Sequence, residues 1–202
     1  MNRFALNLLA VVVVGLSVVG CVDPEKVDGG KNEQEVITTV ELTFKPAAGD
    51  ALVFAVADPE NDGSPVIDTV TLNTATTYAL SVRFLNELET PAEDITEEVD
   101  GESDEHQVFV YGSGVESPAS TSANALLDVD YDDEDKNGLP VGLKNTATTV
   151  AAGTAELRVM LRHLPEQDGA AQKVAGLQDT FAAGDVIGGD VDADVTFPLI
   201  VE

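Results

Sequence analysis

The only two histidines of this 202-residue chain lie in segments of alternating apolar residues. His106 begins the segment 106–111, and His163 ends the segment 155–163 on the same side as Leu161. Such alternation is typical of β-strands, so the two rings meet if the strands are neighbours in one sheet. Two imidazoles together with a carboxylate can bind a transition metal. The competing interpretation is that each histidine ends a strand and is hydrogen-bonded to the backbone.

Two acidic loops offer oxygen ligands at positions 1, 3 and 5, followed by glycine at position 6, as calcium loops do. In chain order these ligands are Asp58, Glu60 and Asp62, then Asp133, Asp135 and Asn137. Position 12, where an EF-hand carries a bidentate glutamate, is Thr69 in the first loop and Lys144 in the second. A complete EF-hand is therefore excluded, and the alternatives are a weak calcium site and two solvated turns.

Motifs that are typical of enzymes are missing from the sequence. It has no His-Glu-x-x-His zinc motif, no glycine-rich phosphate loop and no Gly-x-Ser-x-Gly elbow. A single cysteine, Cys21, excludes an intramolecular disulfide. The acidic pairs are too numerous to single out one as a general acid and base. We therefore predict that the protein is not an enzyme and has no catalytic residue.

The first 21 residues resemble the signal of a bacterial lipoprotein. Arg3 supplies a positive charge, residues 4–19 form an apolar stretch, and Gly20 precedes Cys21, which is similar to a lipobox. The resemblance implies cleavage before Cys21 and a lipid on its sulfur and new amine. Because stable anchoring needs about two acyl chains, such a cysteine holds the protein on a membrane.

The signal also predicts location and domain organisation. In lipoproteins of this kind an aspartate directly after the cysteine favours the inner membrane, whereas this chain has Val22, which favours the outer membrane. We expect a signal peptide at 1–20 and a lipidated cysteine with a flexible tether at 21–34. The folded domain then spans 35–202, on the periplasmic or surface face.

The charge of the chain restricts its partners. Thirty-seven acidic residues against ten lysines and arginines give a formal net charge of −27. Such a field repels nucleic acid and anionic head groups, attracts cations and keeps a surface protein soluble. We therefore expect no nucleic-acid partner and a membrane association that depends on the lipid of Cys21.

Hydrophobic periodicity predicts an all-β fold. Segments with a period of two residues lie at 36–44, 51–57, 66–72, 77–86, 106–111, 125–131, 143–150, 155–163 and 195–201. About nine short strands separated by turn residues are typical of an antiparallel β-sandwich. Thr90, Pro91 and Glu93 resemble a helix start, so a short acidic helix is expected near 91–99.

The two acidic loops also align with one another without gaps. Asp58 matches Asp133, Gly63 matches Gly138, and each loop ends in Pro-Val before a further alternating strand. This internal similarity predicts two related β-modules, near 36–90 and 106–165, packed face to face. The alternative is that Asp, Asn, Gly and Pro recur because all four favour turns.

Five ordered motifs resemble a group of small, uncharacterised bacterial surface lipoproteins. They are Glu35-Val-Ile-Thr-Thr-Val40, Leu85-Asn-Glu87 with Pro91-Ala-Glu-Asp-Ile-Thr-Glu-Glu98, Asp104-Glu-His-Gln107, Asn137-Gly-x-Pro-x-Gly142 and Leu161-Arg-His163. The resemblance covers most of 33–201 and implies a secreted, lipid-anchored, acidic β-rich protein without an established activity. Some members are labelled a type 1 periplasmic binding fold, which needs two α/β lobes that this chain is too short to form.

These features lead to one leading functional hypothesis and two alternatives. The leading one is a lipid-anchored, acidic cell-envelope lipoprotein that acts as a non-enzymatic structural or binding module. The second is a surface protein that binds calcium or a small ligand with the two Asp/Gly loops, so calcium is the candidate cofactor. The third is a metalloenzyme that depends on His106 and His163.

Overall fold

The computed structural model describes residues 35–202, so the predicted signal peptide, Cys21 and the tether at 21–34 lie outside the described residues. The strands are β1 (Thr39–Pro46), β2 (Leu52–Ala57), β3 (Val66–Ile67), β4 (Val70–Leu72), β5 (Thr77–Asn86), β6 (Glu93–Asp94), β7 (His106–Tyr111), β8 (Val115–Glu116), β9 (Leu127–Tyr131), β10 (Lys144–Thr149), β11 (Gly153–His163) and β12 (Asp190–Val201). The helices are α1 (Ile95–Gly101) and α2 (Leu177–Ala182). Within 35–202, neither helix has the length and apolarity to cross a bilayer.

The described strands form two sheets, so the protein is mostly β as the sequence predicts. The larger sheet has the order β3-β2-β1-β5-β10-β9-β8, and β6 pairs with the end of β5. The smaller sheet has the order β4-β12-β11-β7. Most pairs are antiparallel, but β4 runs parallel to β12 and β8 runs parallel to β9.

One hydrophobic core contains residues from both sheets. In β5 every second residue is buried, and Tyr78 and Phe84 are both almost fully covered. They belong to the same cluster as Leu157 of β11 and Phe197 of β12. Since burying such a side chain contributes about 1.5–3 kcal/mol, the alternating residues that predicted the strands also account for the association of the sheets.

A second, smaller core lies on the other face of the smaller sheet. Phe109 of β7 and Met160 of β11 pack there against Leu177 of α2 and Ile187. The segment 165–189, which contains α2, therefore covers this face. Arg162 fastens the end of the segment, because its guanidinium donates hydrogen bonds to the carbonyls of Ile187, Gly188 and Gly189 at 2.9–3.2 Å.

The predicted start of the short acidic helix is wrong. Asp94, and not Thr90, is the N-cap of α1, and its carboxylate accepts the N–H of Thr96 at 3.2 Å. Residues 93 and 94 still pair with β5 as a strand, so the helix starts at Ile95. An aspartate can cap a helix as well as a threonine can, and the sheet pairing decides between the two candidates.

The predicted sandwich of about nine strands, made of two modules, is not confirmed in that form. The described residues contain twelve strands, since several two- or three-residue pairings carry too little periodicity to be seen in a sequence. The segment 66–72 divides between the sheets, with Val66–Ile67 beside β2 and Val70–Leu72 beside β12. The larger sheet also mixes strands from both proposed modules, so these modules do not form separate sheets.

Candidate metal centre

The two histidines meet, as their positions in alternating strands predicted. His106 of β7 lies directly opposite His163 of β11 in the antiparallel register. Their rings are stacked with centroids 4.5 Å apart and planes 6° apart. His106 is 0% exposed and His163 is 4% exposed, so both rings are part of the protein interior.

The tautomer of His106 follows from its hydrogen bond. Its Nδ1 lies 3.2 Å from the carbonyl oxygen of Glu102, and because a carbonyl can only accept, Nδ1 carries the hydrogen. Burial lowers the pKa of His106 to about 4, so the ring is neutral at physiological pH. Its Nε2 therefore presents a lone pair, and this atom has no hydrogen-bond partner within the described chain.

Asp192 reaches the same place because of an irregularity in β12. Val191 pairs with Arg162 and Ala193 pairs with Leu161, so Asp192 is the extra residue of a β-bulge. A bulge redirects a side chain from the side that regular alternation would give it. Both carboxylate oxygens of Asp192 are buried and, in the described part of the chain, form no hydrogen bond of ordinary geometry. Burial raises the pKa of Asp192 to about 6.

One ligand atom each from His106, His163 and Asp192 lies within 4.8 Å of the others, and we call these three residues the candidate metal centre. Metal–nitrogen and metal–oxygen bonds of about 2.0–2.2 Å place two ligand atoms on one ion no more than ~4.4 Å apart. A small rotation of the side chains would therefore close them around an ion. Each buried polar group without a partner costs about 1–3 kcal/mol, so their concentration here indicates a binding role.

Further carboxylates surround the candidate metal centre. Glu102, Glu105 and His163 form a second group of three with ligand atoms within 4.8 Å. Burial, together with the charges of Glu98 and Asp192, raises the pKa of Glu35 to about 7. Carboxyl groups therefore surround the two rings, and an incoming cation would be favoured because it relieves the cost of ionising them.

The first acidic loop uses its carboxylates to bind its own backbone. The oxygens of Asp58 accept the N–H groups of Asp62 and Gly63 at 3.0 and 2.8 Å, and Asp62 accepts that of Ser64 at 2.9 Å. Glu60 is exposed. These contacts are typical of turns stabilised by aspartate, and calcium binding by this loop stays a prediction.

The second acidic loop is organised in the same way and also holds a cation of the protein itself. Asp133 accepts the N–H groups of Gly142 and Lys144, and Asp135 Oδ1 accepts that of Asn137 at 2.7 Å. Asp135 Oδ2 lies 3.0 Å from the ammonium of Lys173, and both side chains are buried. Calcium binding here also stays a prediction. A calcium ion would have to displace the ammonium of Lys173 or share the carboxylate of Asp135 with it.

The pKa values of both members of this buried pair lie below their ordinary values, for different reasons. Burial would raise the pKa of Asp135, but hydrogen bonds from Leu139 and Lys173 outweigh it and hold the pKa below its ordinary value. Burial lowers the pKa of Lys173, and Asp135 opposes this effect. Lys173 also donates to the carbonyl of Ser103 at 2.7 Å, so it ties the segment 165–189 to the loop and to the end of α1.

Sequence reasoning identified His106 and His163 but not Asp192, Glu35 or Lys173. Asp192 stands among many acids, and only the bulge distinguishes it from its neighbours Asp190 and Asp194. The apolar residues at 191, 193 and 195 continue the inward side of Phe197, so regular alternation places Asp192 outward and gives no signal of its position. Comparisons with protein family models, curated proteins and solved structures found no match.

Proposed function

We propose that the protein binds one divalent transition-metal ion through His106, His163 and Asp192. The observation that carries the proposal is that three adjacent strands bring two buried histidines and a half-buried aspartate, all with buried ligand atoms, to one point. Zn²⁺, Fe²⁺ and Mn²⁺ are the candidate ions, because two imidazoles with a carboxylate suit them. Calcium prefers oxygen ligands only, so this centre does not suit it.

The proposal is binding rather than catalysis. The Nε2 atoms of His106 and His163 and the carboxylate oxygens of Asp192 are buried, so an ion bonded to them would lie beneath the protein surface, out of reach of all but the smallest substrates. Catalytic metal sites instead keep one coordination position accessible. The protein would therefore hold, store or be stabilised by the ion.

We further propose that this domain is carried on the outer membrane by a lipid on Cys21, as an acidic cell-envelope lipoprotein. The signal-like residues 1–21 and the net charge of −27 support this part of the proposal. The core that β5, β11 and β12 share supports an antiparallel β-sandwich as the scaffold. In such a scaffold the candidate metal centre lies between the sheets at one end.

The first test is metal analysis of purified protein, followed by titration of chelator-treated protein with Zn²⁺, Fe²⁺, Mn²⁺ and Ca²⁺. We expect one transition-metal ion per chain and a rise in melting temperature, since an ion at 100 times its Kd adds about 2.7 kcal/mol. Asp192→Asn and His163→Ala should each weaken binding by at least about tenfold while the circular dichroism spectrum is retained.

Asp190→Asn is the matched control, because Asp190 is an exposed aspartate of the same strand two residues from Asp192. It should bind the ion as the unsubstituted protein does. If the unsubstituted protein contains no metal and none of the four ions shifts its melting temperature, the histidine pair is a structural contact and the proposal fails. A response to calcium that Asp58→Asn removes would instead support the loops as the binding sites.

A further inference from the structure

A cleft of about 220 Å³ lies beside the candidate metal centre, between the first strands of the larger sheet and β12. One wall is lined by Thr38, which directly precedes β1, by Val56 of β2 and by Asp58 of the first acidic loop. Asp192 and Ala193 of β12 line the other. We call it the Asp192 cleft.

The cleft exists because β12 is only partly covered along this edge. Its pairing with β4 is confined to Leu199–Val201, where it lies beside Val70–Leu72. Over residues 190–198, no described strand pairs with this edge of β12. The seam between the two sheets is therefore open from the first acidic loop to Asp192.

Asp192 belongs to both the cleft and the candidate metal centre. Asp192 is part of the cleft wall. Its carboxylate is buried in the protein interior, with a ligand oxygen within 4.8 Å of the ligand nitrogens of the histidines. Those nitrogens are themselves buried. An ion that arrives by the cleft would therefore meet Asp192 first and the two rings second.

The lining of the cleft suits a cation. Among the described residues, it includes Asp58 and Asp192 and contains no lysine or arginine. The third aspartate of the lining, Asp194, is neutralised by Arg158, whose Nη2 lies 2.7 Å from its Oδ2. Asp58 has backbone N–H groups and, within residues 35–202, no basic side chain on its carboxylate oxygens, so its charge acts on the mouth of the cleft.

We infer that the Asp192 cleft is the route by which the metal ion reaches and leaves His106, His163 and Asp192, and that Asp58 attracts the ion to it. The inference rests on the proposed function and adds the path to it. It also gives the first acidic loop a role in the kinetics of binding rather than in coordination. Because the cleft ends at a buried site, exchange of the ion should be slow.

The test is stopped-flow mixing of the purified full chain with Zn²⁺, followed by release into excess chelator. Asp58→Asn keeps the side-chain shape and removes the charge, so the association rate should fall by about two- to fivefold at low salt and recover at high salt. Asp133→Asn is the matched control, since Asp133 also accepts two backbone N–H groups and does not line the cleft.

A second variant tests the path itself. Ala193→Leu places bulk in the cleft, so association and release should both slow while the equilibrium Kd stays within about twofold. Unchanged rates in both Asp58→Asn and Ala193→Leu, with a normal Kd, would overturn the path and leave the metal site intact. If the unsubstituted protein does not bind Zn²⁺ at equilibrium, the proposed function is overturned, and the path with it.

Discussion

Glu35 should make the stability of the metal-free protein depend on pH. Burial and the charges of Glu98 and Asp192 raise its pKa from 4.5 to about 7. A carboxyl group whose pKa is raised on folding stabilises the folded state while it is protonated. That contribution is fully present below pH 4.5 and is lost as the pH rises through 7.

With chelator present, the melting temperature should therefore fall more steeply between about pH 4.5 and 7 in the unsubstituted protein than in Glu35→Gln. Thermal unfolding across this window measures the difference. Glu60→Gln is the control, because Glu60 is exposed in the first acidic loop, and it should follow the unsubstituted protein. Identical pH profiles for Glu35→Gln and the unsubstituted protein would show that Glu35 is solvated in solution.

At the scale of single residues, hydrogen bonding explains why the two acidic loops looked like calcium loops. A loop that turns sharply needs acceptors for its own N–H groups and a glycine where the backbone adopts a positive φ. Gly138 has a φ of 74°, and Asp135 accepts two N–H groups of the same loop. Calcium loops meet the same backbone requirements, so spacing alone does not distinguish the two.

At the scale of elements, regular alternation was a reliable guide and short or irregular pairing was not. The bounds predicted for β5 and β7 are those observed, because each strand has long alternation or dense apolar burial. The two-residue strands β3, β6 and β8 carry no period, and the bulge at Asp192 breaks one. Such features depend on partners distant in the sequence, which a local pattern does not contain.

The same distinction applies to the candidate metal centre. His106 and His163 each continue the inward side of a regular strand, so their meeting required only that β7 and β11 be neighbours. Asp192 joins them through a tertiary irregularity, and it was therefore missed. Two of the three proposed ligands were thus visible in the sequence.

The segment 165–189 depends on one buried contact for part of its attachment. Lys173 pairs with Asp135 while 1% of the lysine and 0% of the aspartate side chain are exposed. Lys173→Met removes the ammonium and leaves the carboxylate buried alone, so the free energy of unfolding should fall by about 3–5 kcal/mol. Urea denaturation measures this loss.

Two further variants isolate the buried pair. Adding Asp135→Asn to Lys173→Met removes the stranded charge, so part of the lost stability should return. Lys136→Met breaks the ion pair of Lys136 with Asp104, in which 71% of the lysine side chain is exposed, and should lower stability far less than Lys173→Met does. Equal effects of Lys173→Met and Lys136→Met would contradict a buried contact.

At the scale of the whole molecule, the net charge of −27 should limit stability at low ionic strength. Like charges repel across the folded surface, and salt shortens the range from about 30 Å at 0.01 M to about 8 Å at 0.15 M. With chelator present, the melting temperature should rise steadily when NaCl is added over this range. Thermal unfolding monitored by circular dichroism measures it.

Sodium and potassium chloride should act equally in that experiment, because screening depends on ionic strength and not on the identity of the ion. A melting temperature that does not change with salt would mean that the acidic residues are spaced too widely for their repulsion to destabilise the folded state. A response to only one of the two salts would indicate specific binding rather than screening.

The parallel contact between β4 and β12 also has a consequence for folding. Val70 pairs with Leu199, and the N–H of Glu202 bonds to the carbonyl of Leu72 at 3.0 Å. The smaller sheet therefore closes only when residues that are more than a hundred positions apart come together. Contacts of such sequence separation form slowly, so completion of this sheet should be a late step in folding.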